Sequence, residues 1–405
     1  MQRVVAKFGG TSVGSIERIR HSARLVAQAV RRGEPHAVVV SAMAGETDRI
    51  LGLTRELGGD LGHAESDVAL AAGEQVSASL MALALEGEGL KARSLMGWQV
   101  PVLADGPAGS ARISGLDGRG LAQMMDAGIV PVLAGYQGMT ETGEIRTLGR
   151  GGTDLSAAAL AAALEARCDI YTDVDGVYTT DPRMEPAARR IDQVSHDEML
   201  ELAAQGAKVL QARSVEFAKT HSVPMRVLSS FAAPGDAQGT DVVDGAQISE
   251  RRLVSGVAYV RDQARLSLPG LDPSGEQMAV VFATLAGAQI GVDMIVQSNG
   301  RTPDHVNLEC SLAGRDLERA LALCAGLALP EPVRTGENLA KVSVVGAGLR
   351  QRADIARSLF GVLGERGIAV KLLATSEIKI SALIEQDSVE RAVRALHAAY
   401  GLDKV

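Results

Sequence analysis

Three glycine-rich loops carry the residues best suited to chemistry. The first, Lys7-Phe8-Gly9-Gly10-Thr11-Ser12, follows the apolar run Val4-Val5-Ala6 and leads into a helical pattern. Glycines let backbone N–H groups approach a phosphate, and a helix N-terminus favours an anion. A lysine ending a buried strand is expensive unless its charge is used, and phosphate would use it. The plainer reading is a solvated lysine beside a tight turn. The second loop, Thr147-Leu148-Gly149-Arg150-Gly151-Gly152-Thr153-Asp154, also precedes a helix. Its arginine offers a planar fork for a carboxylate or phosphate, and Thr153 or Asp154 could equally serve as a helix cap. The third, Tyr171-Thr172-Asp173-Val174-Asp175-Gly176-Val177-Tyr178-Thr179-Thr180-Asp181-Pro182-Arg183, sets polar groups at a strand end, where open α/β sheets bind ligands. Glu74, in Gly73-Glu74-Gln75, heads an otherwise apolar helix, where an acid can simply complement the dipole.

Other signatures are missing. No Gly-x-x-x-x-Gly-Lys-Ser/Thr occurs, and Val344-Val345-Gly346-Ala347-Gly348 lacks the third glycine of a dinucleotide fingerprint. Asp173-x-Asp175-Gly176 has neither the glycine position nor the closing glutamate of a calcium loop. The three cysteines, Cys168, Cys310 and Cys324, exclude a disulfide framework and a four-cysteine zinc site.

The elements that must position these loops alternate in type. Strand signals at 4–8, 37–40, 129–136, 168–174 and 223–228 are separated by helical patterns at 16–30, 69–85, 155–166 and 197–219. Short apolar strands between helices predict an α/β domain with a mostly parallel, buried sheet. Residues 232–250, rich in Gly, Pro and Asp, have no sustained apolar period and read as a linker. Beyond them lies a duplication. Leu266-Ser267-Leu268-Pro269-Gly270 answers Val342-Ser343-Val344-Val345-Gly346, and Phe282-x-x-Leu285 answers Phe360-x-x-Leu363. Val306-x-Leu308-x-Cys310 answers Ile378-x-Ile380-x-Ala382. Each copy reads β-α-β-β-α, a ferredoxin-like unit.

Composition bounds the partners. Across 405 residues, 41 Lys+Arg against 49 Asp+Glu give a net charge of −8, and aromatics make only 3%. Both argue against nucleic acid or an anionic membrane as partner. No apolar run is read as long enough to span a bilayer, and no signal peptide is seen, so a cytoplasmic protein is expected.

Taken in order, these segments resemble the aspartate kinase family. The resemblance rests on 7–13, Val39-Val40-Ser41-Ala42-Met43, Gly73-Glu74, 147–154, 171–183, 198–203 with 206–210, 292–297 and Thr375-Ser376-Glu377-Ile378-Lys379-Ile380-Ser381. It implies an amino-acid-kinase domain over 1–231, a linker over 232–250, and two ACT domains over 251–335 and 336–405. The implied activity is ATP-dependent phosphorylation of the aspartate side chain, the first step toward lysine, threonine and methionine. Lys7, Asp154 and Lys208 would be catalytic. ATP would lie along Lys7, Phe8, Gly9, Gly10, Thr172, Asp173, Tyr178, Asp181, Pro182, Arg183 and Lys208. Aspartate would be held by Ser41, Thr47, Glu74, Arg150, Gly151, Gly152 and Thr153. Mg²⁺ would come hydrated with ATP, near Asp154, with no resident metal bound by side chains alone.

By the same resemblance, lysine or threonine would act through Asp272, Asp293 and Gln297, and through Ala369, Val370, Ser376 and Glu377. A homo-oligomer through the ACT domains is expected. Departures touch this half. Ala353-Asp354 replaces the usual Pro-Gly of the second repeat, Pro273-Ser274-Gly275 carries an inserted residue in the first, and Gly291 and Ala369 stand where Asn is usual. Two other readings are a related carboxylate kinase and a non-catalytic amino-acid-sensing subunit. The second would predict decay of Lys7, Arg150 or Asp154, and all three are present.

Overall fold

The structure, a computed structural model, describes residues 2–404 apart from 207, 208, 237, 249–252, 301, 303, 350 and 351. Lys208 therefore lies outside the described residues, as do Arg350 and Gln351 of the second-repeat loop. Backbone contacts divide the chain into two units. The first is Met1–Val177 with Arg190–Ala204 and Lys208–Glu250; the second is Tyr178–Arg189 with Gln205–Ala207 and Arg251–Val405.

The first unit runs β1 (Val4–Phe8), α1 (Ile16–Arg31), β2 (His36–Val40), α2 (Glu46–Glu56), α3 (Ala64–Gly87), β3 (Lys91–Leu95), β4 (Val102–Asp105), β5 (Arg112–Leu116), α4 (Arg119–Asp126) and β6 (Ile129–Ala134). It continues with β7 (Gln137–Met139), β8 (Ile145–Thr147), α5 (Gly152–Ala163), β9 (Arg167–Thr172), β10 (Gln193–Ser195), α6 (His196–Ala204), α7 (Ala212–Thr220), β11 (Met225–Ser229) and β12 (Gly239–Val243). Eight strands form one sheet in the order β10-β12-β11-β9-β1-β2-β6-β3, all pairings parallel except β11 with β12. Every residue of β1 and β2 is buried, as expected for central parallel strands covered on both faces. Helix α1 starts at Ser15, whose hydroxyl accepts the Arg18 N–H, and buries Ile19, Ala23, Val26 and Ala27. Alanines make half of α5, and its buried small side chains let it lie close to the sheet.

Three sequence expectations change here. The region 232–250 is not wholly a linker, because β12 joins the large sheet. A second sheet, β5-β4-β7-β8, was not foreseen. Helix α3 is also long and apolar enough to cross a bilayer by length and composition, although no such run was expected; half of that stretch is buried within the protein.

The second unit contains β13 (Gly256–Leu271), α8 (Glu276–Gly287), β14 (Val292–Asn299), β15 (Val306–Ala313), α9 (Leu317–Ala325), β16 (Arg334–Val345), α10 (Ala353–Glu365), β17 (Leu372–Thr375), β18 (Lys379–Glu385) and α11 (Val389–Ala399). Each repeat has the expected β-α-β-β-α order, and the sheet reads β14-β15-β13-β16-β18-β17. The two long strands are shared. The first part of β13 pairs with the end of β16, Gly256 with Val345, while its later part pairs with β15. The start of β16 pairs with β13, Arg334 with Ser267, and its end pairs with β18. Each repeat thus lends the other its fourth strand. Separate apolar cores form under each: Leu266, Leu268, Val281, Leu285 and Leu308 in the first, Val342, Val344, Leu359, Ile380 and Leu396 in the second.

Candidate active site

Register assembles the first unit's site. Leu228, Tyr171, Phe8, Val40 and Ala134 lie side by side across β11, β9, β1, β2 and β6. Because these strands are parallel, the loops that follow them leave one edge of the sheet. There β1 is flanked by β2 and β9, so connections diverge to either side and open a crevice of the kind that holds ligands in α/β sheets.

Lys7 and Asp154 meet in that crevice. Lys7, the last residue but one of β1, is 9% exposed; Asp154, in the first turn of α5, is 7% exposed, and their Nζ–Oδ1 separation is 2.5 Å. A buried lysine so paired is a positive charge held in place by a carboxylate. The glycine turn beyond it is closed by Ser12 and Val13 N–H groups donating to the Gly9 carbonyl (2.9 and 3.2 Å). Phe8 belongs to the core: it is fully buried and stacks on Tyr171 at 4.7 Å. Only its backbone is available to a nucleotide.

Glu74 stands on α3 at 3% exposure, and its Oε2 has no hydrogen-bond partner. Burial pushes its carboxyl up to about 7, against the Ala42 N–H that favours the charged form. The neighbouring Gly73 is required by packing, since a Cβ there would lie 2.8 Å from the Ala42 methyl. That close approach brings α3 against the loop after β2, which holds Ser41. The Ser41 N–H donates to the Phe8 carbonyl at 3.0 Å. Thr47, half-buried, lies in the first turn of α2.

The loop 148–152 enters α5 through Gly149 and Gly151, both with positive φ (73° and 74°), conformations an L side chain rarely adopts. It leaves Arg150 exposed and Thr153 buried. Sequence reasoning missed Tyr136, which follows β6 with a positive φ of 67° and is not a glycine. Its N–H donates to Ser156 Oγ at 3.1 Å, and its side chain hydrogen-bonds Thr147. Burial, with the nearby charges of Glu74 and Asp67, raises its phenol above the usual range.

Thr172, whose hydroxyl donates to Asp173 at 3.2 Å, ends β9 in the same unit. The rest of the expected nucleotide stretch belongs to the second unit. There Arg183 pairs with Asp181 at 2.9 Å, the Tyr259 hydroxyl donates to Asp181 at 3.3 Å, and Pro182 is exposed. Buried Thr179 bonds His397 at 2.9 Å.

Of the expected effector residues, Asp272, Gln297, Ala369, Ser376 and Glu377 are exposed, and Val370 is half-buried. Asp293 pairs with buried Lys341; burial pushes its carboxyl up, but that lysine outweighs it and holds it below the ordinary range.

Among the described residues, no group of three or more His, Cys, Asp or Glu side chains converges on a metal position. Asp154 brings one carboxylate to Lys7 near the C-terminal end of β1. That donor set fits Mg²⁺, which commonly keeps its waters and takes one or two carboxylates plus substrate phosphates.

A family model for the amino acid kinase family matches residues 2–229, and one for the ACT domain matches 342–400. The aspartokinase of Geobacillus stearothermophilus is 43% identical over 400 residues, covering 98% of this chain and 97% of its own. The chain belongs to the aspartokinases of the amino acid kinase family. Aspartokinase 2 of Bacillus subtilis (strain 168) is 40% identical over 408 residues, covering 100% of this chain and 99% of its own. In structure, the chain is similar to E. coli aspartokinase III in complex with aspartate and ADP, with a TM-score of 0.79, 27% identity, and 98% and 99% of the two chains covered. The same enzyme in complex with lysine and aspartate gives a TM-score of 0.76 over the same shares. The aspartokinase fold expected from sequence, a mostly parallel sheet with helices followed by ferredoxin-like ACT repeats, is the fold observed.

Proposed function

We propose that this chain transfers the γ-phosphoryl group of ATP to the side-chain carboxylate of L-aspartate, giving 4-phospho-L-aspartate and ADP. The carrying observation is the buried Lys7–Asp154 pair near the carboxyl ends of the parallel strands. The acceptor needs no general base, because an aspartate side chain with a pKa of about 4 is ionised at neutral pH. One of its oxygens forms the new bond to phosphorus as the bridging P–O bond to ADP breaks. The obstacle is anion meeting anion, so catalysis must come from positioning and positive charge.

Lys7 neutralises the transferring phosphoryl group while Asp154 holds its ammonium in place. Backbone N–H groups of Gly9 and Gly10 cradle the phosphate, and Lys208 is the proposed second cation. Mg²⁺, bound with ATP beside Asp154, would supply further charge neutralisation. Thr172, Asp173, Tyr178, Asp181, Pro182 and Arg183 are the proposed nucleotide contacts. Ser41, Thr47, Gly151, Gly152 and Thr153 line the proposed acceptor subsite. Glu74 pairs with the substrate ammonium through its unpartnered Oε2, and Arg150 grips the α-carboxylate. Arg150→Ala is expected to raise KM for aspartate about 10–100-fold, the loss of one charged hydrogen-bonding contact. KM for ATP should stay near the parent value; an unchanged aspartate dependence would contradict the assignment.

Lysine or threonine is the proposed effector, bound at the ACT repeats through residues such as Asp293, in a cytoplasmic homo-oligomer. An effector must bind an inactive arrangement better than the active one. The test is ATP- and Mg²⁺-dependent acyl-phosphate formation from aspartate, trapped with hydroxylamine, with and without lysine and threonine. Aspartyl hydroxamate that falls on adding either amino acid supports both halves. Product without inhibition keeps the kinase and rejects the feedback. No product from folded protein rejects the reading in favour of another carboxylate acceptor or a sensing subunit.

A further inference from the structure

Asp67 has no place in the chemistry above, yet it is fully buried on α3. Its carboxyl accepts the Gly109 N–H at 3.0 and 3.1 Å and the Thr147 hydroxyl at 2.5 Å. No lysine, arginine or histidine among the described residues forms an ion pair with it. A buried carboxyl satisfied by neutral donors alone is a costly way to fill a core, because an apolar side chain would avoid its desolvation. The expense calls for a use.

Position supplies one. Asp67 and Glu74 stand at i and i+7, so both project from one face of α3 two turns apart. Thr147 ends β8 immediately before the loop that carries Arg150, and its carbonyl accepts the Ala111 N–H at 3.0 Å. One carboxyl therefore joins the helix bearing the proposed ammonium ligand to the strand that leads into the loop bearing the proposed carboxylate ligand. A second tie lies nearer Glu74, where the Gln137 amide donates to the Ala71 carbonyl at 3.1 Å.

We infer that Asp67 is a positioning residue for the acceptor subsite, fixing the spacing between Glu74 and Arg150. The inference rests on the proposed aspartate kinase activity. Asp67→Asn sets an amide N–H against Thr147 or Gly109, both of which donate to Asp67, so the clamp loosens while side-chain volume is kept.

The test compares steady-state constants of the full chain and its variants by the hydroxamate assay. Asp67→Asn and Thr147→Val are each expected to raise KM for aspartate about tenfold or more. KM for ATP should stay within about twofold and kcat should fall less than KM rises, the signature of lost ground-state positioning. Thr147→Ser, which keeps the hydroxyl, should track the parent. Thr147→Val keeps the Gly109 bond and so carries the test should Asp67→Asn fold poorly. Unchanged KM for aspartate in both variants, or equal behaviour of the Val and Ser variants, overturns the inference. So does an equal loss in every constant, which marks a purely structural role. If the parent chain makes no aspartyl hydroxamate, it is the proposed function that fails.

Discussion

Alanine at Lys7 is expected to lower kcat by about 10³-fold or more, the scale seen when a preorganised charge on a transferring phosphoryl group or oxyanion is lost. In this chain the loss has a second consequence. Lys7 Nζ is 2.5 Å from Asp154 Oδ1, and both residues are buried. Removing the lysine leaves a carboxylate without its counter-charge, and breaking such a pair costs about 3–5 kcal/mol of stability. The two effects separate in the double variant Lys7→Ala/Asp154→Asn, which leaves no uncompensated charge. Its unfolding temperature should return toward that of the parent while turnover stays low. Single-turnover hydroxamate formation beside calorimetry makes the comparison. Near-normal turnover in folded Lys7→Ala protein would remove Lys7 from the mechanism. Recovery of turnover in the double variant would show that Lys7 matters only for folding.

The second large effect lies in pH. The Glu74 carboxyl is raised to about 7 because burial penalises its charged form. The substrate ammonium pairs with the ionised form. Below pH 7 the free protein holds mostly the neutral acid, so kcat/KM for aspartate should rise about tenfold per pH unit and level off above about 7. Glu74→Gln should lose that slope and most of the plateau. Linkage fixes the sign for stability. A folded-state value above the ordinary 4.5 favours the fold fully below that value, and the contribution is lost as pH rises through about 7. The size is of order 3 kcal/mol. Without substrate, Glu74→Gln should therefore match the parent near pH 4.5 and be the more stable of the two at pH 8. Thermal unfolding at both values checks this; an equal difference at the two would show that burial does not control the group.

The loops proposed to carry the chemistry stand out in the sequence because each sets glycines beside a lysine, an arginine or clustered polar groups at a strand or helix end. Helix α1 and strands β1 and β2 were equally plain, since their apolar periods match their buried faces. Strands β4, β5, β7 and β8 escaped notice because they are short and mixed in polarity. In β5, Arg112-Ile113-Ser114-Gly115-Leu116 has no fully buried residue. Strand β12, Gly239-Thr240-Asp241-Val242-Val243, was read as linker for the same reason, although Thr240 and Val242 are wholly buried. Asp67 lies in the first turn of α3, ahead of the helical pattern read at 69–85, and nothing in the sequence singles it out. Its meaning depends on Gly109 and Thr147, distant partners that local sequence does not name. The same holds for residues 178–189. Nothing near Thr179 in sequence announces His397, its hydrogen-bond partner at 2.9 Å.

The lent strands of the ACT repeats constrain how the chain can be made. During synthesis Gly256 emerges early, yet its partner Val345 appears only after the whole first repeat and its return strand have been translated. Until then the start of β13 is an unpaired edge carrying Val257 and Tyr259. The first repeat is likewise incomplete until Arg334 arrives to pair with Ser267. Neither can finish on the ribosome ahead of the other, so the pair should close in one late cooperative event. A stop between the repeats would leave the first repeat without the strand that β16 lends it. Any shorter product of this chain that keeps both repeats whole must begin upstream of Gly256.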